Sequence, residues 1–168
     1  MPGRRAFTLV EAVLTITIAL LLTGGAIGGL AGVQTWLGLS AVRRFQADML
    51  YAHNAALLSN RRVMCVVSAG TSYQLQQEAT PGTGTVVSTV LQHPLTGQPW
   101  QVALGDLASG LSVTLQPTLT PAEFGFGADG RLIAHSGSVL TSDLVLTFSN
   151  QAVATLRTVS GLCEVQWP

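Results

Sequence analysis

The chain has no lysine. Its eight basic residues are all arginine and are matched by eight acidic ones, so the formal net charge is zero. A general polyanion binder needs a basic face, and this balance does not supply one. Charged residues make up only 10% of the chain, against roughly 25% in an ordinary soluble domain. Aromatic residues are scarce too, at 6%, which argues against a base-stacking platform. Hydrophobic residues reach 48%, and with so little charge this excludes an intrinsically disordered chain.

Catalytic signatures are also missing. There is no Gly-x-Ser-x-Gly, no His-Glu-x-x-His and no Gly-Lys-Ser/Thr phosphate loop. His53, His93 and His135 are too dispersed in sequence to argue for a metal, and they read as surface or half-buried residues. Asp129 reads as a turn former, and Asp106 and Asp143 as exposed loop or strand-end residues. No catalytic residue, metal ligand or cofactor is therefore expected. There are two cysteines, Cys65 and Cys163. Two widely spaced thiols do not make a clustered metal site. On an exported domain an even pair reads as a disulfide, with two buried free thiols as the alternative. Closing a loop of that size would stabilise the fold by about 4 to 5 kcal/mol in the chain-entropy model.

The apolar residues are concentrated near the start. Residues 12–42 contain no charge, and residues 12–33 are mostly Leu, Ile, Val, Ala, Gly and Thr. About 20 apolar residues cross a bilayer core as a helix, so this segment is long enough to span. Arg4 and Arg5 precede it, which predicts an N-in, C-out orientation. Glu11 stands at its head. A carboxylate costs about 2.5 to 3.5 kcal/mol at the bilayer centre and less near its edge, which makes Glu11 a functional candidate whose natural partner is a positive charge. Gly24, Gly28 and Gly32 recur every fourth position, as do Gly25 and Gly29. That spacing lets membrane helices approach closely, although each glycine weakens a helix by about 1 kcal/mol.

No proline falls between Phe7 and Asn60. Val42, Phe45, Met49, Ala52 and Ala56 follow helical spacing on one face, with Arg43, Arg44, Gln46, Asp48, His53 and Asn54 placed largely elsewhere. One helix is predicted from residue 7 to 59, about 80 Å long. Asn60 suits a left-handed cap, with Arg61 and Arg62 near the negative helix end. Short β-prone runs follow at 63–67, 72–77, 85–91, 100–104, 111–116, 123–126, 131–135, 144–149, 153–159 and 162–167, punctuated by turn residues. The predicted class is α+β, with a long N-terminal helix packed on an antiparallel sheet domain.

The start of the chain, Ala6-Phe7-Thr8-Leu9-Val10-Glu11, resembles the prepilin processing site of type IV pilins and type II secretion pseudopilins. The resemblance implies a cut between Ala6 and Phe7, N-methylation of Phe7, and Glu11 at the fifth mature position. The family normally has glycine before the cut, where this chain has Ala6. A cut there creates an amine at the membrane surface that Glu11 of a neighbouring subunit can neutralise. Such a pair selects register more than it adds stability. Residues 45–56 and 60–63 are similar to the helix end and first strand of FimT/GspH-type minor pilins, although the family's Arg-Ser-Glu-Ala stretch is replaced here by Ala52-His53-Asn54-Ala55.

The organisation implied is a leader at 1–6, a membrane and assembly half-helix at 7–33, an amphipathic half-helix at 34–59 and a β-rich pilin domain at 60–168. The partners implied are other pilin or pseudopilin subunits, prepilin peptidase and an inner-membrane assembly platform. The location implied is the inner membrane as a single-pass protein, then a periplasmic or cell-surface filament. The competing reading is a signal-anchored or exported envelope protein that does not polymerise. It rests on the twin-arginine-like Gly3-Arg4-Arg5-Ala6-Phe7 and a possible secretory site at Gly29-Leu30-Ala31. Beyond residue 42 there are six arginines and seven acidic residues. That balance argues against direct DNA binding, because phosphate contacts dominate nucleic-acid affinity. The pairs Arg43-Arg44 and Arg61-Arg62 are the one local patch such binding would use.

Overall fold

A computed structural model describes residues 9–79 and 88–167, with side chains at 13–20, 36–79 and 89–167. Helix α1 (Leu9–Ser59) is continuous over 51 residues, as the lack of an internal proline allows. Its expected start at residue 7 lies outside the described residues. The chain forms two compact units, Met1–Trp36 and Leu37–Pro168.

In the second unit the apolar face of α1 is buried. Val42, Phe45, Met49, Ala52 and Ala56 are each at most 1% exposed. The helix closes at Asn60, whose φ of 53° is the left-handed conformation asparagine tolerates. The arginines beyond the cap do not serve the helix end. The Arg61 guanidinium donates to the Ala79 carbonyl at 3.2 Å, and Arg62 lies 4.0 Å from the buried Glu78 carboxylate. A buried carboxylate needs a cation more than a screened helix terminus does.

The strands of the expected antiparallel β-sheet domain form two sheets. The first contains β1 (Val63–Ser68), β2 (Ser72–Glu78), β3 (Ser88–Val90), β4 (Gln101–Ala103), β6 (Glu123–Phe126) and β7 (Leu132–Ala134). Its order is β3-β2-β1-β6-β7, with β4 also paired to β2. The second contains β5 (Val113–Gln116), β8 (Leu144–Phe148), β9 (Val153–Leu156) and β10 (Cys163–Gln166), ordered β10-β9-β8-β5. The β1–β2 turn has positive φ at Ala69 and Gly70, the twist a tight hairpin requires. The Gly70 carbonyl accepts from Val113 N at 2.8 Å, and a Cβ on Gly70 would sit 2.7 Å from the Val113 carbonyl. This glycine therefore lets the first sheet's turn reach the second sheet. The run expected as strand to Leu104 stops earlier. Leu104 opens a single helical turn, α2 (Leu104–Leu107), with its N–H bonded to the Thr71 carbonyl at 2.8 Å.

The two sheets meet on α1. The Phe45 ring lies edge-on to Tyr73 of β2 at 5.3 Å and to Phe148 of β8 at 5.6 Å. The edge strand β10 is also tied to the helix, because the Gln46 amide donates to the Cys163 carbonyl at 2.9 Å. Covering an edge in this way removes a template for unwanted strand pairing.

Candidate assembly interface

The N-terminal unit offers an apolar helix surface. Val13, Leu14, Ile16, Ile18 and Leu20 expose between 48% and 68% of their surface. An exposed apolar patch of this kind suits contact with apolar surroundings. Thr17 fits such surroundings, because its hydroxyl donates to the Val13 carbonyl at 2.8 Å and so needs no water. Glu11 is the third residue of α1, and its side chain lies outside the described residues. The cleavage positions Ala6 and Phe7 lie outside them altogether. Among the described residues no helix is long and apolar enough to cross a membrane. The expected span at 12–33 has its side chains at 12 and 21–33 outside the described residues, as are those around Gly24, Gly25, Gly28, Gly29 and Gly32.

The expected disulfide is not formed. Cys65 and Cys163 are both free thiols. Cys65 sits on β1, between Leu75 of β2 and Phe124 of β6, inside the core. Cys163 begins β10 at the edge of the other sheet, opposite Leu156. Sequence spacing does not reveal which sheet each cysteine joins. Burial raises both thiols. Cys163 is pushed up to about 12, with the Glu164 carboxylate adding to the effect. Cys65 goes higher still, with the Asp48 carboxylate adding. Thiols held protonated in this way are unreactive.

Asp48 is a buried polar residue that the sequence reading placed off the apolar face. It is 7% exposed and accepts a 2.7 Å bond from the Tyr73 hydroxyl. The spacing Phe45, Asp48, Ala52 already carries it onto the buried face. Burial raises the Tyr73 hydroxyl, and the Asp48 charge and hydrogen bond raise it further. Asp143 is likewise not a free strand-end residue. It accepts from Thr158 N at 2.9 Å and from the Arg157 guanidinium at 2.8 Å, and the Thr158 bond is the first cause holding its carboxyl low. Asp129 accepts from Arg131 N at 3.1 Å and shapes the β6–β7 turn.

The histidines are separate. His53 lies edge-on to Phe126, His93 packs on Trp100, and His135 contacts the Glu123 carboxylate. Among the described residues no three His, Cys, Asp or Glu side chains gather as metal ligands would. Arg43 and Arg44 are exposed, and the Arg43 guanidinium lies 5.9 Å from the Trp167 ring centroid.

No known family model and no curated protein sequence matches the chain. Solved structures do. The type IV minor pilin FimU of Pseudomonas aeruginosa matches with a TM-score of 0.53 at 13% identity, covering 77% of this chain and 87% of that one. The minor pseudopilin EpsH from the type 2 secretion system of Vibrio cholerae matches with a TM-score of 0.53 at 14% identity, covering 79% and 96%. E. coli GspH matches at 19% identity over 80% and 86%, with a TM-score of 0.49. At such identities a likeness speaks for architecture, and on that ground the chain has the α+β fold of FimU and EpsH, a long helix packed on antiparallel sheets.

Proposed function

We propose that the chain is a structural, non-enzymatic subunit, minor rather than major, of a type IV pilus or of a type II secretion or DNA-uptake pseudopilus. The observation that supports it most is the coincidence of two independent features. The fold is that of a minor pilin and a minor pseudopilin. The same chain carries Phe7-Thr8-Leu9-Val10-Glu11 at the head of its exposed apolar helix. On this reading residues 1–6 stay cytoplasmic until prepilin peptidase cuts between Ala6 and Phe7 and Phe7 is methylated. The helix anchors the chain in the inner membrane, N-in and C-out. The inner-membrane platform then moves it into a filament of pilin subunits, on the periplasmic side or at the cell surface.

Glu11 acts at that last step. A carboxylate leaving the headgroup zone needs a cation, and the new Phe7 amine of a neighbouring subunit provides one. Breaking one partner of a buried charge pair costs about 3 to 5 kcal/mol, and about 1.4 kcal/mol is already tenfold. Glu11→Ala is therefore expected to lower the chain's content in filaments sheared from its native cells by tenfold or more, with the membrane pool preserved. Parental amounts of the variant in sheared filaments would refute the role of Glu11. A parent chain that never enters filaments would favour the non-polymerising anchor instead.

A further inference from the structure

We propose that Arg43, Arg44 and Trp167 form a surface that binds the phosphates of anionic phospholipid headgroups. This rests on the membrane-anchored reading above and adds to it a lipid contact made by the globular unit itself.

The first observation is two arginines without a carboxylate partner. Arg62, Arg131 and Arg157 each face a carboxylate, and Arg61 donates to the Ala79 carbonyl. Arg43 and Arg44 are exposed, and among the described residues neither has an acidic group within ion-pair distance. An arginine open to solvent complements phosphate, which the guanidinium fork binds in bidentate fashion.

The second observation is the aromatic beside them. Trp167 follows β10 and is 39% exposed, with its ring 5.9 Å from the Arg43 guanidinium. A guanidinium over an indole ring is attracted by the ring face. Tryptophan also favours the headgroup level of a bilayer, where its apolar body and polar N–H are both satisfied.

The third is spacing. Arg43 is the first charged residue after Glu11, and the 31 residues between them carry no charge. A helix covers a bilayer with its headgroups, about 40 to 45 Å, in roughly 27 to 30 residues. Arg43 lies about 48 Å along the helix from Glu11, so Arg43 and Arg44 follow the apolar run at the outer face of the headgroups. Lipid is favoured over DNA as the occupant because two arginines are far fewer than a duplex backbone engages, whereas each arginine near an anionic membrane surface already adds measurable attraction.

The test uses the full chain reconstituted into phosphatidylethanolamine vesicles with and without phosphatidylglycerol, carrying a small fraction of headgroup-spin-labelled lipid. Tryptophan quenching is read for the parent and for Trp167→Phe, and the difference isolates Trp167. We expect quenching of Trp167 in the phosphatidylglycerol vesicles. Most of it should be lost in vesicles without that lipid and in the Arg43→Gln/Arg44→Gln variant. Arg131→Gln, a surface change elsewhere, should leave it intact. Equal quenching in the double variant, or none in the parent, overturns the proposal when the chain still floats with the vesicles. Relief of the quenching by added duplex DNA overturns it in favour of a nucleic-acid surface. A chain that does not float with vesicles at all refutes the membrane anchoring itself, so the two failures are distinguishable.

Discussion

Replacing Phe45 with alanine is expected to destabilise the globular unit by about 3 to 5 kcal/mol, the usual cost of emptying an aromatic site in a core. Phe45 is 1% exposed and is the helix residue whose ring meets both sheets, through Tyr73 and Phe148. Truncation removes two edge-to-face contacts, each adding about 0.5 to 1.5 kcal/mol beyond area burial, and it opens a cavity where three elements meet. Domains of this size are stable by only about 5 to 15 kcal/mol, so the loss is a large share of the total. Thermal or urea unfolding of the full chain in detergent measures it. Phe45→Leu keeps most of the volume and should cost markedly less. A loss under about 1 kcal/mol for the alanine variant would mean that the helix does not join the sheets in this way.

The second large effect is alkaline. Burial raises the Cys65 thiol above its ordinary 9.0, the Tyr73 hydroxyl above its ordinary 10.0 and the Cys163 thiol to about 12. Each group keeps its proton in the folded chain at a pH where the unfolded chain has already lost it. Stability is therefore full below about pH 9 and falls as pH rises, by about 1.4 kcal/mol per pH unit for each group past its unfolded value. The three groups act in the same direction above about pH 9, so the fall there is steeper than any one of them alone would give. Unfolding free energies measured against pH should show this slope. Cys65→Ala and Tyr73→Phe should each flatten it, whatever their effect at neutral pH. A level profile from about pH 8 to 11 would contradict the burial of these groups, and a bridged Cys65–Cys163 pair would abolish the thiol share of the slope.

The thiols also show where sequence stops informing. Their burial is readable from their apolar neighbours, but the sheet each joins is not, because β1 pairs with β6 some sixty residues away and β10 joins a different sheet. Non-local pairing leaves no periodic trace, so the split into two sheets was not legible either. The helix was, since an unbroken 3.6-residue spacing and the absence of proline are both local facts. The strands at 72–78, 123–126 and 144–148 lie where alternation or flanking turns placed them. Asp48 was missed because a charged residue reads as solvent-facing until a partner such as Tyr73, on a distant strand, is known. The run ending at Leu104 was read too long because an apolar residue fits a strand end and a buried helical turn equally well. The proposed assembly features are the reverse case. Phe7 and Glu11 stand out by chemistry and order along the chain, and no tertiary contact is needed to notice a carboxylate at the head of an apolar run.

Processing at Phe7 is the point on which the filament account turns, and intact-mass and N-terminal peptide analysis of the chain from its native membrane tests it most directly. The expected result is a mature chain that begins at Phe7 and is heavier by one methyl group, with Ala6 accepted in place of glycine. A chain that keeps Met1, or one that begins beyond Ala31 and has lost the assembly helix, would contradict the account.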